Sequence, residues 1–370
     1  NHAAQLVDVS VLSNFNSEPI TALDDTTRQA LEGIGFKMTG ERMIRGAVVD
    51  PQPREIAERA LFHKHHLHQS TRHENEIMAL KKVDEIRDDF ALRGRTELYR
   101  VDLKSMASAH RLHQGINLRG HQVWASYEHF QEILAIRNQP ADEELWDIVE
   151  FFASHSDPNL FKERHALSQS EFRKLIQPLI RTGHIVQDFR GGFRSVFVPE
   201  GVDRAELRKE YVRKLVEKFP VITLRQMTQL AGPSFKPEEL KAVLNTFEED
   251  GTLIKGFLIE DFHQVCWGRK ELLEEARSIP SIRDFVLPPS DPIAPYFADI
   301  MKERFGFGSA YLVFRNAEPV AAFKANTRNK IIDVKDYEGS EKAWRIVKEF
   351  AWEHQMPLQT ELRIGGKKLQ

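Results

Sequence analysis

Two consecutive stretches of this chain repeat one local order, and that repetition restricts the fold more than any other property. In residues 141–201, Ser168 stands three positions before Glu171, the spacing of a helix-initiating capping box, ahead of Phe172, Leu175, Ile176, Leu179 and Ile180 at helical intervals. Residues 183–198 then read as strand, Gly191-Gly192 turn, strand. From Leu207 the order returns: Tyr211, Leu215 and Val216 on one helix, 223–232 as a short helix closed by Gly232, 238–249 as the next helix, and 251–259 with 264–267 as a second hairpin. Helix, helix, hairpin is the order of a winged helix, so the repetition predicts two such units in tandem.

On either side the pattern changes. Residues 1–50 are punctuated by Pro19, Gly33, Gly35, Gly40 and Gly46 and carry no motif. From Pro53, Ile56, Ala57, Ala60, Leu61 and Leu67 predict one helix, and Ile77, Leu80, Val83, Ile86 and Phe90 predict a second packed on it. Residues 102–113 and 127–136 predict two more, with a short hairpin over 115–124 between them. The proline-rich run Val286-Leu287-Pro288-Pro289-Ser290-Asp291-Pro292 admits no helix. Beyond it, 310–315, 320–324 and 330–334 predict a small antiparallel sheet, followed by a helix over 341–354 and a closing strand within 358–364. The expected class is α+β, divided as 1–50, a first winged-helix-like unit 51–140, a second 141–205, a third 206–285, and a β-rich C-terminal domain 286–370.

Composition removes several classes. With 370 residues the chain holds two or three domains of ordinary size. A single cysteine, Cys266, closes no intrachain disulfide and builds no thiolate zinc site, which favours a reducing compartment; a cytoplasmic, nucleoid-associated setting is expected. No run of apolar residues is long enough for a membrane span, and no signal peptide is expected. Phosphate-cradling, dinucleotide-binding and nucleophile-elbow motifs are all missing, which leaves ATPase, nicotinamide oxidoreductase and α/β-hydrolase readings without support.

The 52 Lys and Arg nearly balance the 55 Asp and Glu, yet residues 162–215 hold twelve basic against seven acidic residues, and Arg190 and Arg194 flank the Gly-Gly tip. A basic hairpin of this kind suits phosphate contacts; a solvated charged face is the plainer reading. His63, His65, His66, His68 and His73 crowd one predicted helix and its exit. Without an accompanying HExxH order they read as a polar face near DNA rather than a metal site. Cys266, beside Trp267 in a strand, reads as a core residue.

With these elements in order, the chain resembles the winged-helix DNA glycosylases of the crosslink-repair type, the AlkZ/YcaQ-like proteins. The likeness covers about residues 54–364. It rests on Leu118-Arg119-Gly120 and the alternating run to Glu128, similar to the family's Arg-Gly-Thr-x-His segment, on 207–232, similar to its third winged helix, and on Leu287-Pro288-Pro289-Ser290-Asp291-Pro292. What the resemblance implies is a tandem of winged helices closed by a small antiparallel β-barrel-like domain. It also implies double-stranded DNA as partner, no cofactor, and hydrolysis of the N-glycosidic bond of alkylated or crosslinked bases. The family's catalytic Gln-x-Gln or Gln-x-Asp is most similar here to Leu80-Lys81-Lys82-Val83-Asp84-Glu85-Ile86, with Lys82 in place of the first Gln and Asp84 at the acid; His121 follows Gly120, and Val123 takes the family's histidine position. The implied DNA contacts are Arg111, Arg119, His121 and Asp291, beside Arg190 and Arg194.

In that chemistry a carboxylate such as Asp84 stabilises an oxocarbenium-like state or activates water, and Lys82 binds the base or a phosphate, or attacks C1′ as an amine. On the residues alone the plainer reading of Lys82 and Asp84 is as solvated helix members of a charge run. A non-catalytic DNA-binding module, as a regulator or an accessory part of a larger repair or helicase assembly, stays open, as does a protein-interaction scaffold.

Overall fold

The structure, a computed structural model, describes residues 51–74, 79–80, 83–97, 101–260, 262 and 264–369, together with the backbone of two paired strands, β1 (Phe36–Thr39) and β2 (Arg42–Arg45). The expectations for the rest of 1–50 and for Lys82 lie outside the described residues. The first helix, α1 (Arg54–Lys64), ends sooner than its apolar spacing predicts: His66 turns left-handed at φ 59°, and Leu67 packs from the turn beyond.

The second expected helix is not continuous. Residues 83–88 are not helical; Ile86, fully buried, exchanges both backbone hydrogen bonds with Trp124 (2.7 and 3.0 Å) before Asp88 caps the short helix α2 (Asp89–Arg93). Helical periodicity and the demand for a buried strand-like contact compete here, and the contact with Trp124 prevails because it supplies backbone partners as well as burial.

Helix α3 (Leu103–Ala109), capped by Asp102, leads into a hairpin of β3 (His113–Ile116) and β4 (Gln122–Ala125), then α4 (Tyr127–Arg137), capped by Ser126. Next come α5 (Trp146–Ser154), α6 (Pro158–Arg164) and α7 (Gln169–Thr182), the last with its Ser168–Glu171 capping box formed, and a hairpin of β5 (Ile185–Gln187) and β6 (Phe193–Ser195). The two hairpins are joined, β3 pairing with β5 through Gln114 and Gln187, which gives one four-stranded sheet in the order β4-β3-β5-β6. Gly115 permits the approach: a Cβ there would lie 2.6 Å from Phe130 and 2.9 Å from Val186.

The following stretch holds α8 (Arg204–Val216), β7 (Val221–Thr223), α9 (Leu224–Ala231), α10 (Pro237–Glu249), β8 (Ile254–Gly256) and β9 (Cys266–Gly268), with sheet order β7-β9-β8. Strand β7 was not anticipated; Thr223 ends it and caps α9 in a reciprocal box with Gln226. Helix α11 (Lys270–Ala276) leads to the proline-rich joint, whose start is itself a strand, β10 (Phe285–Leu287).

After α12 (Ala298–Phe305), strands β11 (Tyr311–Arg315), β12 (Glu318–Asn326) and β13 (Ile332–Gly339) extend an open, curled half-barrel. The tight turn between the first two places Asn316 and Ala317 at φ 44° and 69°. The sheet is not wholly antiparallel: α13 (Glu341–Glu353) crosses over, so β14 (Leu358–Thr360) pairs parallel to β13. A two-stranded ribbon of β15 (Arg363–Ile364) and β16 (Lys367–Lys368) ends the described chain.

One apolar cluster runs from Leu61 to Ala322, across the expected boundaries near 140, 205 and 285; separate clusters lie under α5–α7 and between the C-terminal sheet and α13. The shared cluster fixes the proline-rich joint against α1, α8 and α9, where the cleft opens. No helix among the described residues is long and apolar enough to cross a membrane.

Candidate active site

The non-helical 83–88 segment, the start of α4, the end of α8 and the joint at Pro292-Ile293 enclose a cleft of about 440 Å³. Its walls are apolar at Val83, Leu112, Trp124 and Leu215 and ionisable at Asp84, Glu85, Arg119, His129, Lys214 and Lys218. This mixture is the usual character of a small-ligand or reaction site.

Glu85 is the best-held acid. Its side chain is 13% exposed; one oxygen meets His129 Nε2 at 3.0 Å, and the other accepts from Asn117 Nδ2 at 2.6 Å and lies 3.9 Å from Arg119. Burial pushes its pKa up, but His129, Arg119 and Asn117 together outweigh burial and hold it below the ordinary glutamate value. Burial likewise pushes His129 down, and Glu85, aided by Asp84 and Glu132, more than restores it, so the imidazole titrates above its usual value. Asn117 also orders the turn around it, its Oδ1 accepting from the backbone N–H of Arg119 (3.1 Å) and of His121 (2.9 Å).

The signs of these shifts make a pH prediction. The His129 contribution to stability is complete below pH 6.5 and fades as pH rises through the raised value; that of Glu85 is complete above pH 4.5 and fades as pH falls through the lowered one. His129→Gln is therefore expected to lower the melting temperature most between pH 4.5 and 6.5, with the deficit shrinking toward pH 8. Melting curves of both proteins across that range check it; a deficit that grows toward pH 8 would contradict the pairing.

Asp84 lies beside Glu85 but is exposed, and pairs with Lys218 at the end of α8. Burial pushes its pKa up and the Lys218 ammonium outweighs that, leaving Asp84 more acidic than usual. Lys214 pairs with Glu132 at 3.2 Å, so α8 and the turn just after it present Lys214 and Lys218 to the cleft. His65 also lines it, its ring tilted by 53° against that of Phe219; burial, then Arg95 and Lys218, push its pKa well down, so this imidazole is neutral.

Of the residues expected at the site, Asp84 and Arg119 share this cleft. Asp291 does not reach it. Only 2% exposed, it is held in a two-point ion pair by Arg95 (2.6 and 3.0 Å) and accepts from the backbone N–H of Ile293, which makes it a brace of the joint. His121 lies on the neighbouring turn, and burial, then Arg87 and Arg119, lower its pKa. Arg111 is exposed in a left-handed turn before β3 (φ 54°). Arg190 and Arg194 are exposed on the second hairpin; Arg194 stacks on the Tyr127 ring at 3.7 Å, one residue from the cleft-lining Ser126.

The histidine cluster is not a helix face. His68, wholly buried, bonds Ser70 Oγ (2.8 Å) and the Pro280 carbonyl (3.0 Å), tying the α1 exit to the segment between α11 and β10. Among the described residues no His, Cys, Asp or Glu group could hold a metal ion. Cys266 is buried and its thiol is pushed up to about 12 by burial, which suits a core residue and not a nucleophile.

Glu85, His129, Asn117 and Lys218 were not singled out in the sequence. Glu85 could have been, as the second acid of an adjacent pair; the others come from 32, 44 and 134 residues away from their acids, separations no local pattern reports.

The acid-bearing cleft thus lies among the 83–88 segment, the end of β4, the start of α4, α8 and the chain just after the proline-rich joint. The fold is similar to that of Streptomyces sahachiroi DNA glycosylase AlkZ. The two align with a TM-score of 0.58 and 11% sequence identity, over 84% of this chain and 100% of that one, so the likeness is one of fold. No family model and no curated protein matches the sequence.

Proposed function

We propose that this chain is a winged-helix DNA glycosylase that excises alkylated or crosslinked bases from duplex DNA by hydrolysing the N-glycosidic bond. The observation that carries the reading is the adjacent carboxylate pair, Asp84 and Glu85, held ionised in a cation-rimmed cleft, on a fold similar to that of a DNA glycosylase. The helix–strand–helix–helix–strand–strand order of 204–268 supports a winged-helix unit there, with the order of 146–195 as a second.

Breaking the C1′–N bond places positive charge on the sugar, and a carboxylate close to C1′ stabilises it or takes a proton from the attacking water. Asp84 is the acting group: it is exposed to the cleft, whereas both Glu85 oxygens are occupied. Cationic N-alkylated bases depart without prior protonation, so no strong acid is required. When a phosphate draws Lys218 away, Asp84 is left facing the sugar as a free anion. Glu85 and His129 hold the Asn117–Arg119 turn in place. In this reading Arg111, Arg119, His121, Arg190 and Arg194 contact the DNA backbone, and Lys82 serves the base or a phosphate as the family resemblance implies.

Duplexes carrying N3- or N7-alkylated purines, incubated with the protein and then treated with alkali to break abasic sites, test the reading. Strand cleavage at the alkylated positions is expected. Tight, salt-sensitive duplex binding without any abasic site would instead leave a non-catalytic DNA-binding module. That second reading is favoured by one observation, the Lys218 ion pair that already neutralises Asp84.

A further inference from the structure

Arg119 also lines a second cavity, of about 540 Å³, on whose walls Arg87, His121, Thr228, Gln229 and Ser309 meet the proline-rich joint. Close packing builds it: the end of α9 presses on the Arg119 turn so tightly that a Cβ at Gly232, already at φ 83°, would lie 2.6 Å from the Leu118 carbonyl oxygen. The guanidinium of Arg87 donates to the Pro289 carbonyl and that of Arg119 to the Pro292 carbonyl, both at 3.4 Å, so the joint aims both.

The charge in this cavity is not balanced. Among the described residues Arg87 and His121 have no ion pair, and Arg119 has only Glu85, which His129 already shares. Asp291, on the cavity wall, is committed to Arg95, and Asp88, next to Arg87, accepts from Ser290 Oγ and from the N–H groups of Phe90 and Ala91. Burial and then Arg119 push the Arg87 pKa down, after the gain from Asp88 is counted. Arg87, which has no ion-paired carboxylate among the described residues, and Arg119, 3.9 Å from a Glu85 carboxylate that His129 also holds, leave guanidinium N–H donors for an anion, and such donors match the geometry of phosphate oxygens.

We propose that this cavity binds a phosphodiester of the substrate strand, adjacent to the nucleotide whose base enters the cleft. The inference rests on the glycosylase reading and adds to it. Arg119, shared by both cavities, links backbone grip to the position of the sugar, so a damaged base within a strand is preferred to a free nucleoside.

Arg87→Met tests it, since Arg87 is exposed and its removal disturbs one long hydrogen bond. Two arms are read. In the first, inorganic pyrophosphate is titrated at low salt while the melting temperature is followed: a saturable rise is expected with the unmodified protein and with Arg87→Lys, and its loss with Arg87→Met. In the second, binding of an alkylated duplex is measured against salt, where Arg87→Met is expected to lower the slope of log K against log salt by about one, the mark of one lost phosphate contact. A pyrophosphate response with no duplex binding by the unmodified protein would overturn the strand phosphodiester, leaving a site for free phosphate, and would sink the glycosylase reading as well. Base excision with identical slopes and identical pyrophosphate responses would overturn the phosphate cavity while leaving the glycosylase reading intact.

Discussion

Arg95→Met is expected to destabilise the protein by about 3–5 kcal/mol, the usual cost of removing one partner from a buried ion pair. Arg95 is 1% exposed, and it binds both Asp291 oxygens and the Ala91 carbonyl (2.6 Å). Without it, the Asp291 carboxylate is left charged in an apolar surround, and the joint loses its attachment to the end of α2. Because Arg95 also lines the cleft, the same change loosens the wall facing Asp84. Adding Asp291→Leu removes the orphaned charge and is expected to recover most of the loss. Urea unfolding of the single and double variants measures both effects; a single variant within 1 kcal/mol of the parent would show that the pair does not brace the joint.

Asp84→Asn is expected to lower the rate of base release by about 100-fold or more, the range ascribed to a positioned acid or base. Its effect on stability should be small, because Asp84 is exposed and exposed ion pairs contribute about 0–1 kcal/mol. Duplex affinity should hold or rise, since Lys218 is freed for a phosphate. Loss of turnover with folding and binding preserved separates a reacting group from a structural one. Glu85→Gln makes the contrast: it disturbs the His129 and Arg119 contacts and is expected to reduce stability and turnover together.

The hairpin at Gly191-Gly192, the Ser168–Glu171 capping box and the α9 helix closed by Gly232 were legible because each depends on residues within a few positions of one another. The 83–88 segment was not. Its apolar spacing is helical, and only the Trp124 backbone, 38 positions from Ile86 along the chain, turns it aside. The pairing of β3 with β5 and the parallel β14 likewise depend on partners brought together by packing. At the site the acidic character of the 84–85 segment could be read, but which acid is held and by what could not. The burial of Asp291 could not be read from the joint alone, because only the distant Arg95 makes it tolerable.

As proposed, Asp84, in the cleft between 83–88 and α8, releases damaged bases from DNA. The most direct measurement is single-turnover release of free alkylated base, detected by mass spectrometry, from a duplex saturated with either the unmodified protein or Asp84→Asn. Release by the unmodified protein is expected, with at least about 100-fold slower release by the variant at equal occupancy. Equal rates from the two proteins, or no free base from a saturated duplex, would contradict it.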